Sequence, residues 1–118
     1  MKILLAEDDN DMRRLLVHKL QTAGYDVSSF DNGLSAYNRL REETFELLLT
    51  DVVMPEMDGI ELARRAVELD PEIKIMFITG FSAVVLAPDS DAPKNSKVLS
   101  KPFHLTKLVN EVQKLRAA

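Results

Sequence analysis

Three carboxylates (Glu7, Asp8 and Asp51), one hydroxyl (Thr79) and one ammonium (Lys101) each stand just at the end of a short apolar run. Carboxylates gathered within a few ångströms repel one another, and each tends to keep a proton unless a cation offsets the charge. With only oxygen ligands and no His or Cys beside them, a hard divalent ion is the natural remedy. An open, part-hydrated site that also accepts phosphate oxygens suits Mg²⁺ better than Ca²⁺. The chemistry such a set supports is phosphoryl transfer. Asp51 supplies a nucleophile, Mg²⁺ and Lys101 neutralise phosphoryl oxygens, and Thr79 hydrogen-bonds one of them.

Apolar runs rich in Ile, Leu and Val alternate with stretches of helical period, which predicts an α/β fold: a parallel sheet covered by helices on both faces. Five strands are expected at Lys2–Ala6, Tyr25–Phe30, Glu46–Thr50, Lys74–Thr79 and Lys97–Ser100. In a doubly wound sheet, functional groups collect beyond the carboxyl ends of the strands, beside the point where strand order reverses. Glu7-Asp8-Asp9, Asp51, Thr79-Gly80 and Ser100-Lys101-Pro102 occupy those ends.

Met12, Leu15, Leu16, Leu20 and Ala23 recur as one face of a first helix, which Gly24 stops. Helices are also predicted over Gly33–Glu42 (Ala36, Tyr37, Leu40), Asp58–Leu69 (Leu62, Ala63, Ala66, Val67) and Leu105–Leu115 (Leu108, Val109, Val112). The fourth crossover departs from this. Ser82–Leu86 can start a helix, but Pro88 and Pro93, amid Asp89, Ser90, Asp91, Asn95 and Ser96, limit it to a turn or two.

The chain of 118 residues, 46% hydrophobic and 29% charged, accommodates one globular domain, 1–118, with no output domain. The absence of cysteine excludes disulfides and thiolate metal sites, with cytoplasm as the default compartment. No run approaches the roughly 20 apolar residues needed to span a bilayer, so no membrane partner is expected. A net charge of −4 argues against direct DNA binding.

Glu7-Asp8, Asp51 followed by Met54-Pro55 and Met57-Asp58-Gly59, Thr79-Gly80 and Lys101-Pro102-Phe103, in this order, resemble the receiver domains of bacterial response regulators. The resemblance spans the whole chain. It implies a flavodoxin-like (CheY-like) fold with strand order 2-1-3-4-5. It implies that Asp51 is the phosphoacceptor and that Glu7, Asp8, Asp51 and the backbone carbonyl of Val53 hold Mg²⁺, with Asp9 a bystander. It further implies a cis Lys101–Pro102 bond, and that Thr79 and Lys101 read the phosphoryl group and draw the loop after the fourth strand inward. A histidine phosphotransferase or histidine kinase is the implied donor.

Two departures from that pattern bear on output. Val98 stands where receivers often carry a Tyr or Phe rotamer switch, and the fourth helix is broken by proline. The segments Ala-Glu-Asp-Asp-Asn-Asp-Met-Arg-Arg (6–14), Phe77–Phe81, Ala87–Pro93 and Ala117-Ala118 are similar to the stand-alone CpdR-type regulators of alphaproteobacteria. Those take their phosphoryl group through a histidine phosphotransferase and, unphosphorylated, act as adaptors for the ATP-dependent protease ClpXP. The implied partner is therefore ClpX, with phosphorylation of Asp51 switching the adaptor off.

Singly, each residue has a plainer reading. Glu7 and Asp8 suit a solvated strand end with a helix-capping acid, Asp51 a turn, Thr79 a strand end and Lys101 an exposed charge. Met12, Met54, Met57 and Met76 read as packing, and His18 and His104 as surface residues without ligand spacing. Phe81, Val84, Val85 and Leu86 either pack down or form an exposed docking patch. Ala117-Ala118 is a frayed helix end or, through the CpdR-type likeness, a degron. Two other functions remain open: a Mg²⁺-dependent phosphohydrolase and a binding domain with a decayed site. Hydrolases of the haloacid-dehalogenase type need a second Asp two residues after the nucleophile, and that position is Val53.

Overall fold

The inner strands carry apolar side chains on both of their faces, so each must be covered twice. That requirement sets the architecture. The computed structural model describes residues 1–117 and contains β1 (Lys2–Ala6), α1 (Asn10–Thr22), β2 (Asp26–Phe30), α2 (Gly33–Glu42) and β3 (Leu47–Thr50). α3 (Gly59–Leu69), β4 (Lys74–Thr79), α4 (Ser82–Leu86), β5 (Lys97–Ser100) and α5 (Leu105–Ala117) complete it. All strand pairs are parallel and the order is β2-β1-β3-β4-β5, the doubly wound flavodoxin-like sheet.

Side-chain alternation along the strands divides the core into two layers. Leu4, Leu48, Ile75 and Phe77 point to one face, where they meet Ala36 of α2 and Leu62, Ala63 and Ala66 of α3. Ile3, Leu5, Leu47, Leu49, Met76 and Ile78 point to the other, against Leu16 and Leu20 of α1 and Leu108 and Val112 of α5. Most of these are fully buried. Each large aliphatic side chain so buried contributes roughly 1.5–3 kcal/mol.

Strands β1, β4 and β5 have the predicted limits, while β2 and β3 each begin one residue later than expected. In α1 the buried stripe is Leu16 and Leu20 with Met12 and Val17 at its margin; Leu15 is 53% exposed and Ala23 is the exposed C-cap. At 100° per residue Leu15 lies about 140° around the helix from Leu20, outside the buried arc. Gly24 follows with φ +96°, a left-handed turn that glycine takes without strain. Both histidines are exposed, and Met54, Met57 and Met76 are buried.

Candidate functional site

Strand order reverses between β1 and β3, and the carboxyl ends of β1, β3, β4 and β5 meet there. Glu7 directly follows β1, Asp51 follows β3 and Lys101 follows β5. Carboxylate oxygens of Glu7, Asp8 and Asp51 all lie within 4.8 Å of one another. The Lys101 ammonium donates to Glu7 Oε1 at 2.7 Å and to Asp51 Oδ2 at 2.9 Å. Glu7 is fully buried and Asp51 nearly so, whereas Asp8 is exposed. Three acids thus share one cluster, with Asp8 on the exposed side and the Lys101 ammonium bonded to the two buried members.

Local sequence explains how each group is held. Asp9 caps α1, its side chain accepting from Met12 N–H, so the chain turns sharply after Glu7 and Asp8. The Glu7 carbonyl accepts from Arg13 Nη1 at 2.9 Å, which ties the β1 end to the first turn of α1. Asp51 Oδ1 accepts from Val52 N–H at 2.7 Å, orienting its carboxylate. Gly59 opens α3 against this loop and donates from its N–H to the Val52 carbonyl at 2.7 Å. A Cβ at that position would stand 1.8 Å from the Asp51 carbonyl oxygen, so only glycine permits the approach. The peptide between Lys101 and Pro102 is cis, in agreement with the expectation.

Burial raises the Glu7 carboxyl above its ordinary value, and the Asp51 charge acts in the same direction; the Lys101 contact opposes both. For Lys101, partial burial works to lower the ammonium's value, but the hydrogen bonds and charges of Glu7 and Asp51 outweigh it and the net shift is upward. Three clustered carboxylates, two of them buried, with Lys101 bonded to those two, fit a hard divalent ion of the Mg²⁺ type.

Thr79 ends β4 and is buried, yet its hydroxyl accepts from Phe81 N–H at 2.9 Å, while its carbonyl accepts from Lys101 N–H at 2.8 Å. Those contacts link it to the Lys101 loop and not to the carboxylates. The Val53 side chain is 57% exposed in the loop after β3. Val98 is half-buried and lies beside Phe77 in the β4–β5 register. Phe81, Val84 and Leu86 are exposed and Val85 is buried, so the α4 cluster divides between the two readings. Ala118, part of the suggested degron, lies outside the described residues. Sequence reasoning missed Arg13 and the packing role of Gly59. No local pattern marks either role.

Over residues 3–113 the chain matches the family described as the response regulator receiver domain. It is 73% identical over 117 residues to the response regulator receiver protein CpdR of Brucella abortus (strain 2308), a match covering 99% of this chain and 98% of that protein. Among solved structures it is similar to a response regulator receiver protein from Sinorhizobium medicae WSM419, with TM-score 0.91, 31% identity, and coverage of 100% of this chain and 95% of that one. It is also similar to the response regulator TrrA of Thermotoga maritima in complex with Mg²⁺ and BeF, with TM-score 0.84, 28% identity and 97% of each chain covered.

Proposed function

The chain belongs to the response regulator receiver domain family, and from that premise we propose that Asp51 accepts a phosphoryl group in a phosphorelay and thereby switches a protein interaction. The observation that carries this reading is the placement of Lys101 Nζ between Glu7 and Asp51, with the Asp8 carboxylate in the same cluster.

A phosphohistidine of a histidine phosphotransferase or histidine kinase is the donor. One Asp51 carboxylate oxygen attacks phosphorus, the P–N bond breaks, and the imidazole leaves with the electron pair and takes up a proton. Glu7, Asp8, Asp51 and the Val53 carbonyl would hold Mg²⁺, and its charge would neutralise the phosphoryl oxygens. The Val52 N–H keeps the Asp51 carboxylate aimed during attack. Lys101 exchanges its bond to Asp51 for a phosphoryl oxygen, and its ammonium stays charged because the acids around it raise its pKa. The Thr79 hydroxyl turns from Phe81 N–H toward the phosphoryl group, and the loop between β4 and α4 follows.

Chemistry is confined to the protein's own phosphorylation and dephosphorylation. The output is cytoplasmic adaptor action on the ClpXP protease through ClpX in the unphosphorylated state. The 73% identity to CpdR supports that assignment. Binding of ClpX to the unphosphorylated chain and to its beryllofluoride complex, measured by calorimetry, tests it. Affinity falls at least about tenfold on activation; equal affinities refute the switch, and no binding in either state refutes the adaptor role.

A further inference from the structure

The short α4 has a consequence on the flank of α3. Ser82–Leu86 is followed by a proline-containing segment, and an open cleft of about 670 Å³ lies between this stretch and α3. Its volume is in the range of about 300–1,000 Å³ typical of ligand clefts. Val52, Met54, Ile60, Val84 and Ala87 supply the apolar lining, and Val84 is 52% exposed.

Four acids line it, and Glu61 among them is already paired with Arg65 at 2.9 Å; Asp58, Asp89 and Asp91 remain, against one lining cation, Arg64. That cation is already engaged, since Arg64 Nη1 lies 3.7 Å from Asp91 Oδ2. The pair is exposed, and exposed pairs exchange partners at little cost.

We propose that this cleft docks a partner segment in which large aliphatic residues alternate with lysine or arginine. The apolar lining takes the aliphatic side chains, and the basic residues pair with the acids at the border, one of them replacing Arg64 at Asp91. The excess of negative charge disfavours acidic peptides, phosphopeptides and nucleic acid. The cleft adjoins the Asp51 loop through Val52 and Val53, but docking there does not require that Asp51 accept a phosphoryl group.

The test is a titration of the ¹⁵N-labelled chain with an amidated peptide alternating Leu and Lys, beside the same peptide with Glu for Lys. Amide signals of Val53, Ile60 and Val84 shift with the Leu-Lys peptide only. The double variant Asp89→Lys, Asp91→Lys weakens binding by about tenfold or more, and Asp11→Lys on α1 leaves it unchanged. Spectra outside the cleft report that both variants are folded. Equal binding of the two peptides, shifts centred on Phe81 and Leu86 without Ile60, or no binding to the folded wild type would each overturn the proposal.

Discussion

Helix propensity alone says that Gly59→Ala should stabilise, because alanine is about 1 kcal/mol better than glycine within a helix. The structure predicts the opposite sign. An alanine Cβ at residue 59 would stand 1.8 Å from the Asp51 carbonyl oxygen, 2.8 Å from its carbon and 3.0 Å from Val52 Cα. Non-bonded heavy atoms are comfortable at roughly 3.5 Å, so α3 must withdraw by well over an ångström. The obstacle is backbone of the loop that carries Asp51, so a side-chain rotation gives no relief. Withdrawal also stretches the 2.7 Å hydrogen bond from Gly59 N–H to the Val52 carbonyl. Overpacking of this kind costs about 1–3 kcal/mol, and a clash with backbone belongs at the upper end. The net expectation is a loss of about 2 kcal/mol, or roughly 8 °C in melting temperature. Urea and thermal unfolding followed by circular dichroism measure it. Gly80→Ala, whose added Cβ meets nothing within 4 Å, is the control and should stay within about 0.5 kcal/mol of wild type. A Gly59→Ala protein as stable as wild type would mean that the contact between α3 and the Asp51 loop yields at no cost.

Lys101→Ala leaves Glu7 buried beside Asp51 without its cation and should cost about 2 kcal/mol in EDTA, less than a fully buried pair because Lys101 is partly exposed. Added Mg²⁺ should restore part of that loss in a melting experiment, and some phosphorylation should survive without a change in partner binding. Because the Glu7 carboxyl is raised above its ordinary value of 4.5, the metal-free folded state holds a proton there that the unfolded chain has released. Stability in EDTA therefore falls as pH rises from 4.5 through the folded-state value, Mg²⁺ binding tightens over the same interval, and Glu7→Gln removes both trends. The raised pKa of Lys101 works at the other end: its contribution is complete below 10.5 and is lost as pH climbs through the folded-state value. Asp9→Ala should cost about 1 kcal/mol through loss of the α1 cap, with Mg²⁺ affinity unchanged in calorimetry if Asp9 only caps the helix.

The inner strands and the acids at their ends were legible because parallel strands buried on both faces read as unbroken apolar runs, and polar residues interrupt those runs only where the strand ends. Leu47-Leu48-Leu49-Thr50 before Asp51 is the plainest case. The inward face of α1 was less legible: Leu15 fits a list of apolar residues at helical spacing, and only its angular position separates it from Leu16 and Leu20. The capping role also moved by one or two residues, from the Glu7-Asp8 pair to Asp9, because one-dimensional spacing does not show which of three successive acids reaches the Met12 N–H. Gly59 belongs to the Met57-Asp58-Gly59 motif, but the reason for glycine there is tertiary. The Asp51 loop presses against the start of α3, and no local pattern encodes that contact.

Covalent labelling decides whether Asp51 is the phosphoacceptor. Intact mass is recorded for wild type and Asp51→Ala after incubation with acetyl phosphate or a phosphorylated histidine phosphotransferase, in Mg²⁺ and in EDTA. An acid-labile gain of one phosphoryl group, about 80 Da, is expected in wild type with Mg²⁺ alone. An equal gain in Asp51→Ala, or no gain in wild type from either donor, would contradict it.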